Sequence, residues 1–212
     1  VQCALPDNTS HQPTMTNTKP AIKTHKLSFP GWNNYKLDAR MVMPEGAPKA
    51  FAIFCHCFTC TKDTITTFRI SRALAQRGYA VLRFDFAGLG GSEGEFSQTN
   101  FSTNVSDVMA AIDYLRQQHE APTLLMGHSL GGTAILEAAM QTDAAGLDNI
   151  RAVVTIASPS QPKHVLHHFG KALPLLEQGI AASIEVAGQA YDIEPEFIEN
   201  LRSYNMQDRL KK

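Results

Sequence analysis

The chain has 212 residues, 43% hydrophobic and 18% charged, with 19 lysines and arginines against 20 aspartates and glutamates. That length can bury a substantial core, and it predicts one globular domain. The near-neutral balance leaves no basic stripe for nucleic acid and no basic amphipathic helix for a membrane surface, and apolar runs such as Ala50–Cys55 are too short to span a bilayer.

Three of the four cysteines, Cys55, Cys57 and Cys60, crowd together, with Cys3 apart. A spread-out disulfide framework is therefore not expected; reduced thiols and a cytoplasmic location are. The N-terminus lacks the apolar core of a secretory signal. Residues 1–22 are rich in Thr, Asn, Gln, Ser and Pro and predict a mobile tail, with 1–14 read as non-native before a start at Met15.

In chain order, Tyr35–Met43 alternates imperfectly and predicts an early strand on the edge of a sheet. Pro44–Pro48 is a turn. Ala50–Cys55 is continuously apolar, as in a strand buried on both faces. Asp63–Arg77 predicts a helix burying Phe68, Ile70, Leu74 and Ala75, with Gly78 as its stop. Tyr79–Phe84 is a second buried strand. A glycine-rich loop leads to a helix from about Ser102 to Gln118, with Val105, Val108, Met109, Ile112 and Leu115 at helical spacing. Pro122–Met126, Leu130–Met140 and Arg151–Ile156 predict a third strand, a third helix and a fourth strand. This alternation implies right-handed crossovers and a mostly parallel, doubly wound sheet over residues 23–160. Then the rhythm changes. Pro162–Gln178 reads as helical, Ser183–Asp192 as a hairpin turning at Ala187–Gly188, and Glu194–Tyr204 as helical again, so 161–212 predicts a cap.

Gly127-His-Ser129-Leu-Gly131 fits G-x-S-x-G, and it lies between a predicted strand and a predicted helix, the context that gives the pattern meaning. A nucleophile on so sharp a turn needs neighbours without side chains, and the following helix aims its N-terminus at the site. Ser129 is the candidate nucleophile. His56-Cys57-Phe58-Thr59 follows the first buried strand, a position where many α/β-hydrolases carry a His-Gly-X turn. On that template the backbone N–H groups of Phe58 and Leu130 form the oxyanion hole, and His56 braces the loop. Asp85–Gly94 lacks the spacing of a dinucleotide fingerprint. It predicts a pocket wall, with Asp85 as a loop brace.

These segments together resemble the α/β-hydrolase domain found fused, in some bacterial proteins, to a C-terminal OsmC-type peroxide-reducing domain. The matching residues are His56–Asp63, Leu82–Gly94, Asn100–Ser102, Gly127–Gly132 and His164–His167, within a similarity from about residue 25 to residue 205. The resemblance implies an esterase-like fold of α/β-hydrolase type, Ser129 as nucleophile and no cofactor. It also implies that the catalytic acid and histidine follow the cap, so the chain is expected to lack its last βα units, about two of roughly 30 residues each. An incomplete sheet predicts an exposed edge suited to a homo-oligomer or a companion C-terminal segment.

His164, His167 and His168 share one helical face, and His164 is the candidate base among them. No carboxylate stands beside them at ligand spacing, so no metal site is expected. Cys57 and Cys60 suit loop filling or, alternatively, a redox-sensing pair. The expected activity is hydrolysis of small acyl esters through an acyl-enzyme on Ser129. The alternatives are a non-catalytic interaction module and a thiol-dependent redox accessory.

Overall fold

The computed structural model describes residues 21–141 and 145–211. Cys3, Met15 and all but the last two residues of the expected tail lie outside them. A six-stranded sheet holds the chain together, in the order β1 (Lys23–Pro30), β2 (Lys36–Met43), β4 (Tyr79–Phe84), β3 (Ala50–Cys55), β5 (Leu124–His128) and β6 (Ala152–Ile156). β1, β2 and β4 pair antiparallel; β4, β3, β5 and β6 run parallel.

The centre of the sheet follows the period of a strand. In β3, Phe51, Ile53 and Cys55 join one core cluster and Ala52 and Phe54 the other. Alternate side chains reach opposite faces, so a strand covered on both must be apolar throughout. One face packs on α2 (Phe101–Gln118) and α3 (Leu130–Ala139), the other on α1 (Ile65–Ala75). A reciprocal capping box starts α2: the Asn100 side chain accepts from Thr103 N–H at 3.0 Å and the Thr103 side chain from Asn100 N–H at 3.0 Å, an arrangement that contributes about 1 kcal/mol.

Three expectations are corrected here. The edge strand on that side of the sheet is β1, not the one covering Tyr35–Met43; β2 lies inside it, paired on both sides. Helix α1 buries the small residues Thr67, Ser71 and Ala75, which let it approach the sheet closely, and it leaves Phe68 exposed. Phe68 is held on the surface by the guanidinium groups of Arg72 and Arg83, each 5.6 Å from its ring centroid. Finally, Pro162–Gln178 is not one helix. It is a 3-10 turn (Pro162–His168) and a short α4 (Ala172–Glu177) broken around Gly170, whose φ is +47°.

The cap continues as a hairpin, β7 (Ala182–Val186) and β8 (Gln189–Ile193), then α5 (Pro195–Ser203) and α6 (Met206–Arg209). Ala187 and Gly188, at φ +52° and +80°, turn the hairpin, as the right-handed twist of paired strands requires. The cap docks on α2, where Asn200 and Tyr204 hydrogen-bond Ser102, and on an aromatic cluster of Phe58, Phe96, Phe169, Tyr191 and Phe197. Among the described residues, no helix is long and apolar enough to cross a membrane.

Candidate active site

Ser129 sits where β5 ends and α3 begins. Its φ of +52° and ψ of −125° lie in a region costly for any residue with a side chain, on the order of 1–3 kcal/mol. The surroundings hold it there. Ser129 N–H donates to the Ile156 carbonyl of β6 at 2.9 Å, and its own carbonyl accepts from Gly132 N–H at 2.9 Å. The flanking glycines are steric requirements. A Cβ on Gly127 would stand 2.5 Å from both the Gly131 carbonyl oxygen and the Gly132 nitrogen, and one on Gly131 would overlap the His56 carbonyl oxygen. The second contact also shows that the loop after β3 lies directly against the start of α3.

That loop is the turn Cys57-Phe58-Thr59-Cys60. The Cys57 carbonyl accepts from Cys60 N–H at 3.1 Å and from the His56 ring Nδ1 at 2.8 Å. The His56 Nε2 accepts from Phe86 N–H at 3.3 Å. An acceptor at Nε2 requires the proton at Nδ1, so these partners fix His56 as the neutral Nδ1–H tautomer. Its full burial also pushes its pKa down. His56 is thus a strut between two loops, and its carboxylate neighbour Asp85, 4.0 Å from Nε2, stands beyond hydrogen-bonding reach.

The strut has a geometric consequence. A trans peptide aims its C=O and N–H in opposite directions. With the Cys57 carbonyl pinned by His56 and Cys60, the Phe58 N–H of the same peptide points the other way. Among the described residues neither that N–H nor the Leu130 N–H has a protein acceptor. Leu130 is the first residue of α3, whose opening N–H groups have no partner within the helix. Phe58 and Leu130 line one narrow cavity, with Phe86, Leu89, Phe96 and Phe197. It holds about 10 Å³ of water-accessible space, room for about one water. Leu130 and Gly131, the two residues that follow Ser129, form part of its wall.

Two buried carboxylates brace this arrangement. Asp85 accepts from the Lys62 backbone N–H at 2.6 Å, the Lys62 ammonium at 2.7 Å and Gly91 N–H at 2.8 Å. It therefore joins the glycine-rich loop to the segment behind the Cys57–Cys60 turn. Burial alone would lower the Lys62 pKa, but its bonds to Asp38 and Asp85 outweigh that and raise it. The second, Asp107 on α2, was missed by the sequence reading. It accepts from Trp32 N–H at 2.8 Å and Ala87 N–H at 2.9 Å, and burial raises its pKa to about 6 against those two bonds. Its signal in the sequence is faint: a carboxylate four residues from Thr103 and Ala111, on the small-residue side of an amphipathic helix.

The expected reduced thiols are corrected. Cys57 and Cys60 form a disulfide, with Cα atoms 5.2 Å apart; the tight turn brings two cysteines three positions apart within bridging range. Cys55, at the end of β3, is a free, fully buried thiol whose pKa is raised by burial and by nearby Asp107. His164, His167 and His168 are exposed on the 3-10 turn with adjacent rings. Among the described residues, no histidine hydrogen-bonds Ser129, and no group of three His, Cys, Asp or Glu side chains could hold a metal ion.

Known proteins share this framework. A family model described as serine aminopeptidase, S33, matches residues 46–203. The esterase domain of a Rhodothermus marinus protein is 39% identical, with a TM-score of 0.64, over 91% of this chain and 72% of that one. Mouse palmitoyl-protein thioesterase ABHD10, a mitochondrial protein, is 31% identical over 112 residues, which are 53% of this chain but only 33% of that protein. The structure of mouse α/β-hydrolase domain-containing protein 10, 20% identical over 84% of this chain and 69% of that one, shares the fold with a TM-score of 0.65. The chain thus belongs to the serine aminopeptidase S33 family of α/β hydrolases.

Proposed function

We propose that the chain hydrolyses small carboxylic esters through an acyl-enzyme on Ser129. The observation that carries this reading is the strained Ser129 elbow together with two N–H groups, Phe58 and Leu130, that have no protein acceptor among the described residues. In the reaction, Ser129 Oγ attacks the ester carbonyl. The developing oxyanion accepts from Phe58 and Leu130 N–H, donors worth about 10²–10³ in kcat each in comparable sites. Collapse expels the alcohol and leaves the acyl-serine, and water then releases the acid. A general base takes the Oγ proton. Exposed His164 is the candidate within the cap, and His164→Ala tests it by its effect on kcat.

The narrowness of the aromatic cavity supports a preference for small acyl groups, because at about 10 Å³ it must widen to admit even an acetyl group. The thioesterase similarity favours a second leaving group, a thiol, for the same chemistry. Hydrolysis of p-nitrophenyl acetate and butyrate, against the matching thioesters, tests both. The ester reading predicts turnover that falls with acyl length and vanishes in Ser129→Ala. Turnover that persists in Ser129→Ala contradicts it. Binding without turnover would favour a non-catalytic module.

A further inference from the structure

We infer that the Cys57–Cys60 disulfide is a reducible clasp that holds the oxyanion turn in place and couples it to the cap. Its effect on catalysis rests on the reading of Phe58 N–H as an oxyanion donor; its effect on the turn does not. The bond closes over two residues, Phe58 and Thr59. So short a loop removes little entropy from the unfolded chain, and its influence is local. Locally it is large. Cys57 supplies the carbonyl that orients the Phe58 N–H, and Cys60 supplies the N–H that helps pin that carbonyl. Thr59 between them has a φ of +56°, unfavourable for a β-branched residue.

The same four residues are where the cap lands. The Tyr191 hydroxyl of β8 donates to the Thr59 carbonyl at 3.1 Å. The Phe58 ring packs against Phe169 and Phe197 of the cap at 6.2 and 5.9 Å between centroids. A change in the turn is therefore felt by the donor and by the cap together. Both bridged cysteines are half-buried, within reach of a small reagent, whereas Cys55 is sealed in the sheet. The partner chemistry is a low-molecular-weight dithiol. Its thiolate attacks one bridging sulfur, the S–S bond breaks, and the other cysteine leaves as a thiolate and takes a proton. The reagent's second thiol then displaces the first cysteine and closes its own disulfide. Two electrons and two protons pass to the protein, one proton to each cysteine, and no sulfur of the reagent stays on it.

The test uses the full chain, oxidised, then reduced with dithiothreitol, then reoxidised with diamide, alongside a Cys57→Ser/Cys60→Ser variant. Ester hydrolysis and backbone hydrogen exchange are read in each state. Reduction is expected to lower kcat about tenfold, short of complete loss of a donor, with KM within about twofold, and to speed exchange across residues 57–62 and 182–193. Reoxidation restores both, and the variant behaves as the reduced protein. Equal exchange in the two redox states overturns the clasp. Faster exchange with unchanged kcat overturns its coupling to the donor. A chain inactive in every state refutes the esterase reading instead, and the exchange at the turn still decides the clasp.

Discussion

The carbonyl of His56 lies so close to Gly131 that a Cβ on that glycine would overlap its oxygen. Backbone meets backbone there, so neither side can yield by rotating a side chain. Gly131→Ala is expected to destabilise the fold by about 1–3 kcal/mol, the range of overpacking a close-packed position. It should also abolish labelling of Ser129, because it separates the Phe58 turn from α3. Thermal denaturation and labelling of the soluble fraction check this; a normal melting temperature would contradict the contact.

His56 is a positioning residue: it touches the Cys57 carbonyl and the Phe86 amide, and its own ring is sealed from solvent. His56→Phe keeps the ring and removes both bonds. The expected cost is about 1–3 kcal/mol for stranded buried groups, with a lower kcat and little change in KM. The pH dependence separates this from simple loss of packing. Burial depresses the native pKa below 6.5, so only the unfolded state takes a proton as pH falls through that value. The stability His56 contributes is present above pH 6.5 and is lost below it. The gap in stability between wild type and variant should shrink on acidification; a gap independent of pH would contradict a buried neutral imidazole.

Asp107 has the opposite slope. Its native pKa is raised from 3.8 to about 6, so between those values the folded state holds the proton and the unfolded state does not. Its contribution is complete below pH 3.8 and is lost as pH rises through 6. The stability of wild type relative to Asp107→Asn should fall by on the order of 3 kcal/mol between pH 4 and pH 7. Urea denaturation across that range measures it, and a constant difference would refute the assignment.

Lys62 is almost fully buried between Asp38 and Asp85. Lys62→Met leaves the fully buried Asp85 without its cation, at an expected cost of about 3–5 kcal/mol. Adding Asp85→Asn removes the stranded charge and should recover part of that loss. A double variant less stable than Lys62→Met would mean that Asp85 is satisfied by its backbone donors alone.

What the sequence revealed follows from how local each constraint is. The elbow was legible because the backbone itself demands glycine at 127 and 131, and β3 because a strand covered on both faces must be apolar at every position. β1 was missed: at the sheet edge it buries only one face, and Lys23-Thr-His-Lys-Leu-Ser-Phe-Pro30 carries few apolar residues. The face of α1 was misread because Phe68 finds its partners in two guanidiniums, those of Arg72 and the buried Arg83, rather than in the core. Asp107 and Lys62 escaped notice because their roles lie in partners 75 and 23 residues away in the chain. The disulfide was hidden by reasoning from compartment, where the turn geometry was decisive.

The most direct test of the central claim is intact-mass measurement after exposure to a fluorophosphonate probe. The account predicts one covalent adduct per chain, located by peptide mapping at Ser129 and absent from Ser129→Ala. A folded wild-type chain that takes no adduct, or an adduct that persists in Ser129→Ala, would contradict it.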